Sequence, residues 1–429
     1  MKLVIIGNGI TGLTAARVAR KRLPGATIQI ISEEHDFPYS RTALMYVFMG
    51  HVTLSATECY ARDFYSKNSL ELIKDRALRA DTSAKRVLLA SGRILEYDAL
   101  LIATGSKSAR YGWPGETLAG VQGLYSLQDL ELLERTAAKG LQHAVIVGGG
   151  LIGIELAEML HSRGVPVSML VRESSYASHI LPPEESSMVN REIKRHGIDL
   201  LLSSNLKEIK GENGRATSVV SDTGAEIPCD FVGLTTGVTP NVDFARASNV
   251  DCARGVLVND QFKTGAYGVF AAGDCAQFQN ADGTAGRVEQ LWYTGRIQGN
   301  RAGSIISDAL EGKRLGEGYK PGVFFNSAKF FTIEYQIYGT IPASEPSVLM
   351  VDEQNNRLIR ISYSRDGATC VLGFSLMGVR YRHEVCARWI EEKRSIEYVL
   401  DHLSEANFDP EFSRRYESAV KAEYKKVAV

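Results

Sequence analysis

The sequence predicts an α/β protein made of two doubly wound βαβ domains and a C-terminal α+β domain, and three observations carry that prediction. An apolar strand, a glycine-rich turn and a helix occur in that order at the N-terminus and again from Ala144. Each helix leads into another β-branched run, Thr27 to Ile31 and Val165 to Val171, as a βαβ unit requires. Beyond residue 315 the grammar changes to a meander of strands followed by helices. At roughly 150 residues per domain, 429 residues accommodate all three.

The first unit opens with Lys2 to Ile6, turns through Gly7-Asn8-Gly9-Ile10-Thr11-Gly12, and continues as a helix from Leu13 to Arg22. The second repeats this with Ala144 to Val147, Gly148-Gly149-Gly150-Leu151-Ile152-Gly153, and a helix from Ile154 to Arg163. Both turns read G-x-G-x-x-G between a strand and a helix. The first glycine makes the bend, the second lets backbone approach a pyrophosphate, and the third lets the helix pack on its strand. The helix N-terminus then offers unpaired N–H groups and a positive dipole end to phosphates. Two such turns in context point to two dinucleotide sites. The C-terminal strands are expected over Lys329 to Tyr338, Ser347 to Asp352, Arg357 to Tyr363 and Cys370 to Leu376, with a turn at Asp366-Gly367. Helices are expected over Glu384 to Lys393, Ile396 to Ala406 and Pro410 to Lys425. In the last, Phe412, Tyr416, Val420 and Tyr424 share a face that reads as a packing or dimer surface.

Composition narrows the function. Lys plus Arg (49) and Asp plus Glu (50) cancel to a net charge of −1, which gives no basic face for nucleic acid. No apolar run reaches the roughly 20 residues that span a bilayer. The first glycine motif follows Met1 too closely for a signal peptide, so a cytoplasmic protein is expected. The six cysteines show no C-x-x-C spacing and the eight histidines no ligand pairing, so neither a redox dithiol nor a metal site is expected.

A carboxylate about 20 residues past the first glycines takes the adenosine ribose in such folds, and Glu33 or Glu34 would serve. Downstream stand Ala103-Thr104-Gly105 and, much later, Gly268-Val269-Phe270-Ala271-Ala272-Gly273-Asp274. With these motifs in this order, the chain resembles the two-dinucleotide flavoproteins, the pyridine nucleotide-disulfide oxidoreductases in the broad sense. Pro38-Tyr39-Ser40-Arg41-Thr42-Ala43-Leu44 and Arg287-Val288-Glu289-Gln290-Leu291-Trp292 resemble loops of the rubredoxin and ferredoxin reductase branch, close to the flavin modules of nitrite reductases.

The resemblance implies an FAD domain over 1–113 and 238–312, an inserted NAD(P) domain over 114–237, and a C-terminal interface domain over 313–429. FAD would be held by Gly7, Gly9, Ile10, Thr11 and Gly12, by Arg41, by Ala103, Thr104 and Gly105, and by Gly273 with Asp274 on the ribityl hydroxyls. Ala77 backbone would face the adenine, and Glu289 and Trp292 the isoalloxazine. The nicotinamide nucleotide would lie on Gly148, Gly150, Leu151, Ile152 and Gly153, with Gly237 near its ribose and Glu155 orienting the carboxamide. Thr42 stands where relatives carry a reactive cysteine, which excludes thiol chemistry there. Tyr46 replaces the lysine that pairs with the family glutamate. Arg172 suits a 2′-phosphate and Glu173 a 2′-hydroxyl, leaving NADH or NADPH open with a lean to NADPH. His383 is a candidate to reach a partner subunit's flavin.

The resemblance therefore implies an FAD-dependent NAD(P)H oxidoreductase, a homodimer passing hydride to flavin and electrons to a redox protein or small acceptor. A flavin module of a larger reductase and an NAD(P)H-responsive scaffold are the alternatives, and a type II NADH:quinone dehydrogenase ranks behind them.

Overall fold

Of the 429 residues, the structure, a computed structural model, describes 1–280 and 282–427. The chain divides into two compact units: 1–111 with 122–140 and 237–320, and 112–121 with 141–236 and 321–429.

In the first unit five parallel strands lie in the order Val269–Ala271, Ala99–Ile102, Lys2–Ile6, Thr27–Ser32, Glu71–Lys74. Leu3, Val4, Ile5, Leu100 and Leu101 are fully buried, as expected of parallel strands covered on both faces. The chain leaves Lys2–Ile6 to one side and returns on the other at Ala99–Ile102, which sets a topological switch point above these two strands. Helix Ile10–Arg22 packs on helix Trp292–Leu310 through a ridge of glycines four residues apart. A Cβ at Gly299 would lie 2.4 Å from the Thr11 carbonyl oxygen, and one at Gly303 2.7 Å from that of Ala15, so the helices touch backbone to backbone.

The second unit repeats the parallel arrangement with Asp199–Leu201, Val167–Leu170, Ala144–Val147 and Phe231–Leu234. Its C-terminal part is a five-stranded antiparallel sheet, ordered Phe325–Phe330, Ile333–Gly339, Val371–Met377, Arg357–Tyr363, Ser347–Asp352. Phe374, Leu376, Trp389, Val399 and Leu403 form the core beneath it.

Three C-terminal expectations need correction. The run Lys329 to Tyr338 is not one strand: it crosses a hairpin in which Phe331 takes φ 53°. The last helix begins at Glu417, not Pro410, because Asp409 captures the amides of Glu411 and Phe412 with its own carboxylate in a turn. Of the aromatic stripe, Tyr416 and Val420 are buried in the domain's own core, whereas Phe412 is 82% exposed and off the helix. Helix Ile396–Asp401 is also shorter than expected and gives way to a 3-10 turn over Leu403–Ala406.

Candidate active site

Three loops meet at the C-terminal ends of adjacent strands in the first unit. Gly7 has φ +119°, and a Cβ there would lie 2.1 Å from the Ala103 carbonyl oxygen, so the glycine turn rests directly on the Ala103-Thr104-Gly105 turn. A Cβ on Gly273 would lie 2.4 Å from Thr11 Oγ1, which brings the third loop against the first helix. Gly9, between them, has nothing within 4 Å of its Cβ position. No side chain caps the helix at Gly9 and no acid lies in its first turn, so its leading N–H groups are left for a ligand. Beside it the buried Nδ2 of Asn8 has no protein partner, while its Oδ1 accepts from the Tyr65 hydroxyl at 2.7 Å. An open middle glycine flanked by two packed ones is the shape a pyrophosphate needs, and the residues present fit FAD here.

Asp274 sits at the rim of this cradle. Burial raises its carboxyl above the usual carboxylate range, although the Ser106 hydroxyl donates to it at 3.0 Å. Gln290 Nε2 donates in turn to Ser106 Oγ at 2.8 Å. Thr104 Oγ1 donates to the Asn241 carbonyl at 2.6 Å, and Asn241 N to Gly105 O at 2.8 Å, which pins the Ala103-Thr104-Gly105 turn. Gly237, two residues before Thr239, has φ +105° and its carbonyl accepts from Ala109 N.

The two candidate ribose carboxylates separate cleanly. Arg41 grips Glu34 through both oxygens at 2.9 and 2.8 Å, Tyr39 donates to it at 2.5 Å, and Leu127 N at 3.1 Å. Burial works against ionisation, but the arginine and these donors outweigh it and hold the Glu34 carboxyl down at about 2. Glu33 is 65% exposed, with Arg76 3.8 Å away. Arg41 also donates to the Tyr125 carbonyl at 2.5 Å and lies over its ring at 4.4 Å. The Tyr125 hydroxyl accepts from Ser106 N at 2.9 Å, linking Arg41 to the loop beside Asp274. Glu289 accepts from Gln298 Nε2, the Tyr319 hydroxyl and Arg287 Nε, at 2.8, 2.8 and 2.6 Å. Gln298 Oε1 accepts from Gly273 N at 2.8 Å, so Glu289 braces the Gly273 loop through Gln298. Trp292 opens its helix half-buried, its ring edge-on to Tyr293. Ala77 starts a short antiparallel strand, and Tyr46 lies half-buried in helix Leu44–Phe48, 6.2 Å from the His51 ring.

The second unit carries the same cradle. A Cβ on Gly148 would lie 2.6 Å from Thr235 O and one on Gly153 2.4 Å from Gly148 O, while Gly150 has open space. Leu151 and Ile152 form the uncapped first turn of helix Leu151–Ser162. Gly149 faces Val171, whose methyl a Cβ would meet at 2.7 Å. Beyond Val171, Arg172 pairs with Glu173 at 2.9 Å, and His179 lies 3.7 Å from the same carboxylate. Glu155 is half-buried on the helix, and desolvation together with the charge of Glu158 pushes its carboxyl up to about 7. The fully buried Tyr176 donates to the Gly150 carbonyl at 2.8 Å. These residues fit a second dinucleotide.

Sequence reasoning missed Tyr125, Ser106, Gln290, Gln298 and Tyr176. Gln290 lies inside a motif that was read, but the others have no local signature. His383 is packed against the Phe325 and Tyr338 rings, with centroids at 4.0 and 5.4 Å. All six cysteines are free, and Cys275, next to Asp274, is a buried thiol with its pKa raised by desolvation. Among the described residues no group of three His, Cys, Asp or Glu is placed to hold a metal, and no helix is long and apolar enough to cross a membrane.

Two phosphate cradles on two parallel sheets, with a buried carboxylate at the rim of the first, define a two-dinucleotide oxidoreductase. The chain belongs to the pyridine nucleotide-disulphide oxidoreductase family, whose sequence model matches residues 1–299. It is similar to the rubredoxin-NAD(+) reductase of Pseudomonas putida, at 29% identity over 68% of this chain and 76% of that protein. It is also similar to the assimilatory nitrate reductase electron transfer subunit of Bacillus subtilis, at 27% identity over 85% of this chain but 48% of that one. Among solved structures, the ferredoxin reductase for the CYP199A2 system from Rhodopseudomonas palustris superposes with a TM-score of 0.79 at 24% identity, covering 98% of this chain and 99% of that one.

Proposed function

We propose that this protein is an FAD-dependent NAD(P)H oxidoreductase that passes electrons from the nicotinamide through flavin to a rubredoxin- or ferredoxin-like protein, without a redox-active dithiol. The observation that carries the reading is the repetition of one cradle, with an open middle glycine at Gly9 and at Gly150. FAD, when bound, supplies a two-electron acceptor that can release electrons singly.

The chain's own residues bind, orient and exclude. Ile10, Thr11 and Gly12 offer amides to the FAD pyrophosphate, and Leu151 and Ile152 do so for the nicotinamide nucleotide. Glu33 takes the adenosine ribose, because Glu34 is committed to Arg41. Asp274 holds the ribityl hydroxyls, with Ser106 and Gln290 fixing its rotamer. Glu155 orients the nicotinamide carboxamide, and Tyr46 lines the flavin side as a hydrogen-bond donor. Thr42 leaves no thiol to intercept the transferred electrons. The reading keeps the FAD domain at 1–113 and 238–312, the NAD(P) domain at 114–237, and a cytoplasmic homodimer.

Steady-state reduction of rubredoxin and of a [2Fe–2S] ferredoxin by NADH and by NADPH tests it. Turnover with one carrier at least tenfold above the rate with oxygen is the expected result. Fast flavin reduction with no transfer to either carrier would refute the acceptor. A second reading, a flavin module of a larger reductase, is favoured by the similarity that spans 85% of this chain and only 48% of the nitrate reductase subunit.

A further inference from the structure

The second unit places a cation on Glu158, one helical turn from Glu155. Glu155 and Glu158 are three apart on helix Leu151–Ser162, so their carboxyls share a face. Lys329, on strand Phe325–Phe330, donates to Glu158 Oε1 at 2.6 Å. Glu158 is 9% exposed, and its Oε2 is buried with no hydrogen-bond partner. Strand Phe325–Phe330 touches the nucleotide half a second time, where Phe330 meets Tyr176 edge-on at 5.9 Å above the Gly150 carbonyl.

We propose that Lys329 is a positioning residue for Glu155: by pairing with Glu158, it leaves the exchangeable proton of the pair on Glu155, which meets the nicotinamide carboxamide as a neutral acid. This rests on the placement of Glu155 at the nicotinamide in the proposed function. A neutral carboxyl donates its O–H to the carboxamide oxygen and accepts from the carboxamide N–H, whereas a carboxylate can only accept. Two like charges on one helix face cannot both be held cheaply at a buried site, so one carboxyl keeps a proton. The cation decides which. With Lys329 on Glu158, the proton stays on Glu155, whose carboxyl burial and Glu158 push up to about 7.

The other groups around the pair do not compete for the role. Tyr176 donates its hydroxyl to Gly150 and stays neutral, its pKa raised by burial and by Glu155. His161, one turn past Glu158, is engaged edge-on with the rings of His196 and Phe331. Glu334, opposite Lys329 in the strand register, also feels the Lys329 charge, but it is held chiefly by its hydrogen bonds to Arg380.

The test is the pH dependence of NAD+ binding to FAD-loaded, oxidised protein by isothermal titration calorimetry, with the infrared C=O band of protonated carboxyls as a second readout. Wild type loses affinity as pH rises through about 7. Lys329→Met and Glu158→Gln each move that limit down by roughly one pH unit, weakening binding about fivefold at pH 7. Lys329→Arg stays at the wild-type limit, and the Lys329→Met/Glu158→Gln double variant matches Glu158→Gln alone. Glu155→Gln removes both the pH limit and the infrared band. If Lys329→Met and Glu158→Gln keep the wild-type limit while Glu155→Gln abolishes it, the proposal fails and the placement of Glu155 stands. If Glu155→Gln leaves the limit in place, the placement itself fails.

Discussion

Arg41 and Glu34 show how one ion pair distinguishes two adjacent identical residues. Their bidentate bond ties the Pro38–Leu44 loop to Glu34, while the neighbouring Glu33 stays exposed. The Glu34 carboxyl is depressed from 4.5 to about 2, so its contribution to stability is fully present above about pH 4.5 and is lost as pH falls towards 2. That shift corresponds to about 3 kcal/mol. Glu34→Gln therefore destabilises the fold by about that amount at pH 7 in urea unfolding, with the difference closing below pH 3. The sequence could not choose between these glutamates, because adjacent identical residues carry no signal of which one an arginine seven positions on will take. Arg172 and Glu173 form an ion pair past the second glycine turn. Releasing Arg172 for a 2′-phosphate costs its bond to Glu173, so Arg172→Ala is expected to raise KM for NADPH about tenfold with KM for NADH within twofold. Steady-state kinetics with both nucleotides checks this, and an equal effect on the two would place Arg172 outside the ribose site.

At the scale of elements, both strand–turn–helix units were legible because the chemistry of a phosphate turn demands glycine at fixed positions. Gly7 needs its positive φ and Gly12 its close approach, with a Cβ 2.2 Å from Gly7 O, and no other residue supplies either. The C-terminal hairpin was not legible, because its turn uses Phe331, an aromatic that no turn rule selects. The late start of the last helix follows from turn chemistry at Asp409-Pro410 that competes with the helical period. The glycine ridge of Gly295, Gly299 and Gly303 was visible as a spacing of four but acquires meaning only beside Thr11 and Ala15. Gly7 and Gly9 separate packing from binding. Gly9→Ala adds a methyl into open space, so its thermal stability without FAD should match wild type while FAD retention on gel filtration is lost. Gly7→Ala, which drives a Cβ into the Ala103 carbonyl, should lose both. Equal FAD retention by Gly9→Ala and wild type would contradict the cradle.

At the scale of the whole molecule, acidic side chains of the nucleotide-binding half of the second unit fasten the C-terminal sheet. Arg360 is buried between Glu184 and Glu185, and Glu185 is fully buried with both oxygens on that arginine. Glu192, 1% exposed, accepts from Asn356 at 3.0 Å and from Thr332. Arg360→Met strands Glu185 as an unpaired buried charge and should cost about 3–5 kcal/mol in urea unfolding. Replacing Glu185 with Leu as well should recover most of that loss. These contacts escaped sequence reasoning because their partners lie more than 130 residues apart. Electrons are expected to pass directly from nicotinamide to flavin with no thiol between them. Anaerobic titration of the FAD-loaded protein with NADH or NADPH, followed by flavin absorbance, tests this most directly. One equivalent of nucleotide per FAD should bleach the flavin fully, and blocking the cysteines with iodoacetamide should change neither the stoichiometry nor the rate. A requirement for two equivalents, or loss of bleaching after alkylation, would show a dithiol in the path and contradict the account.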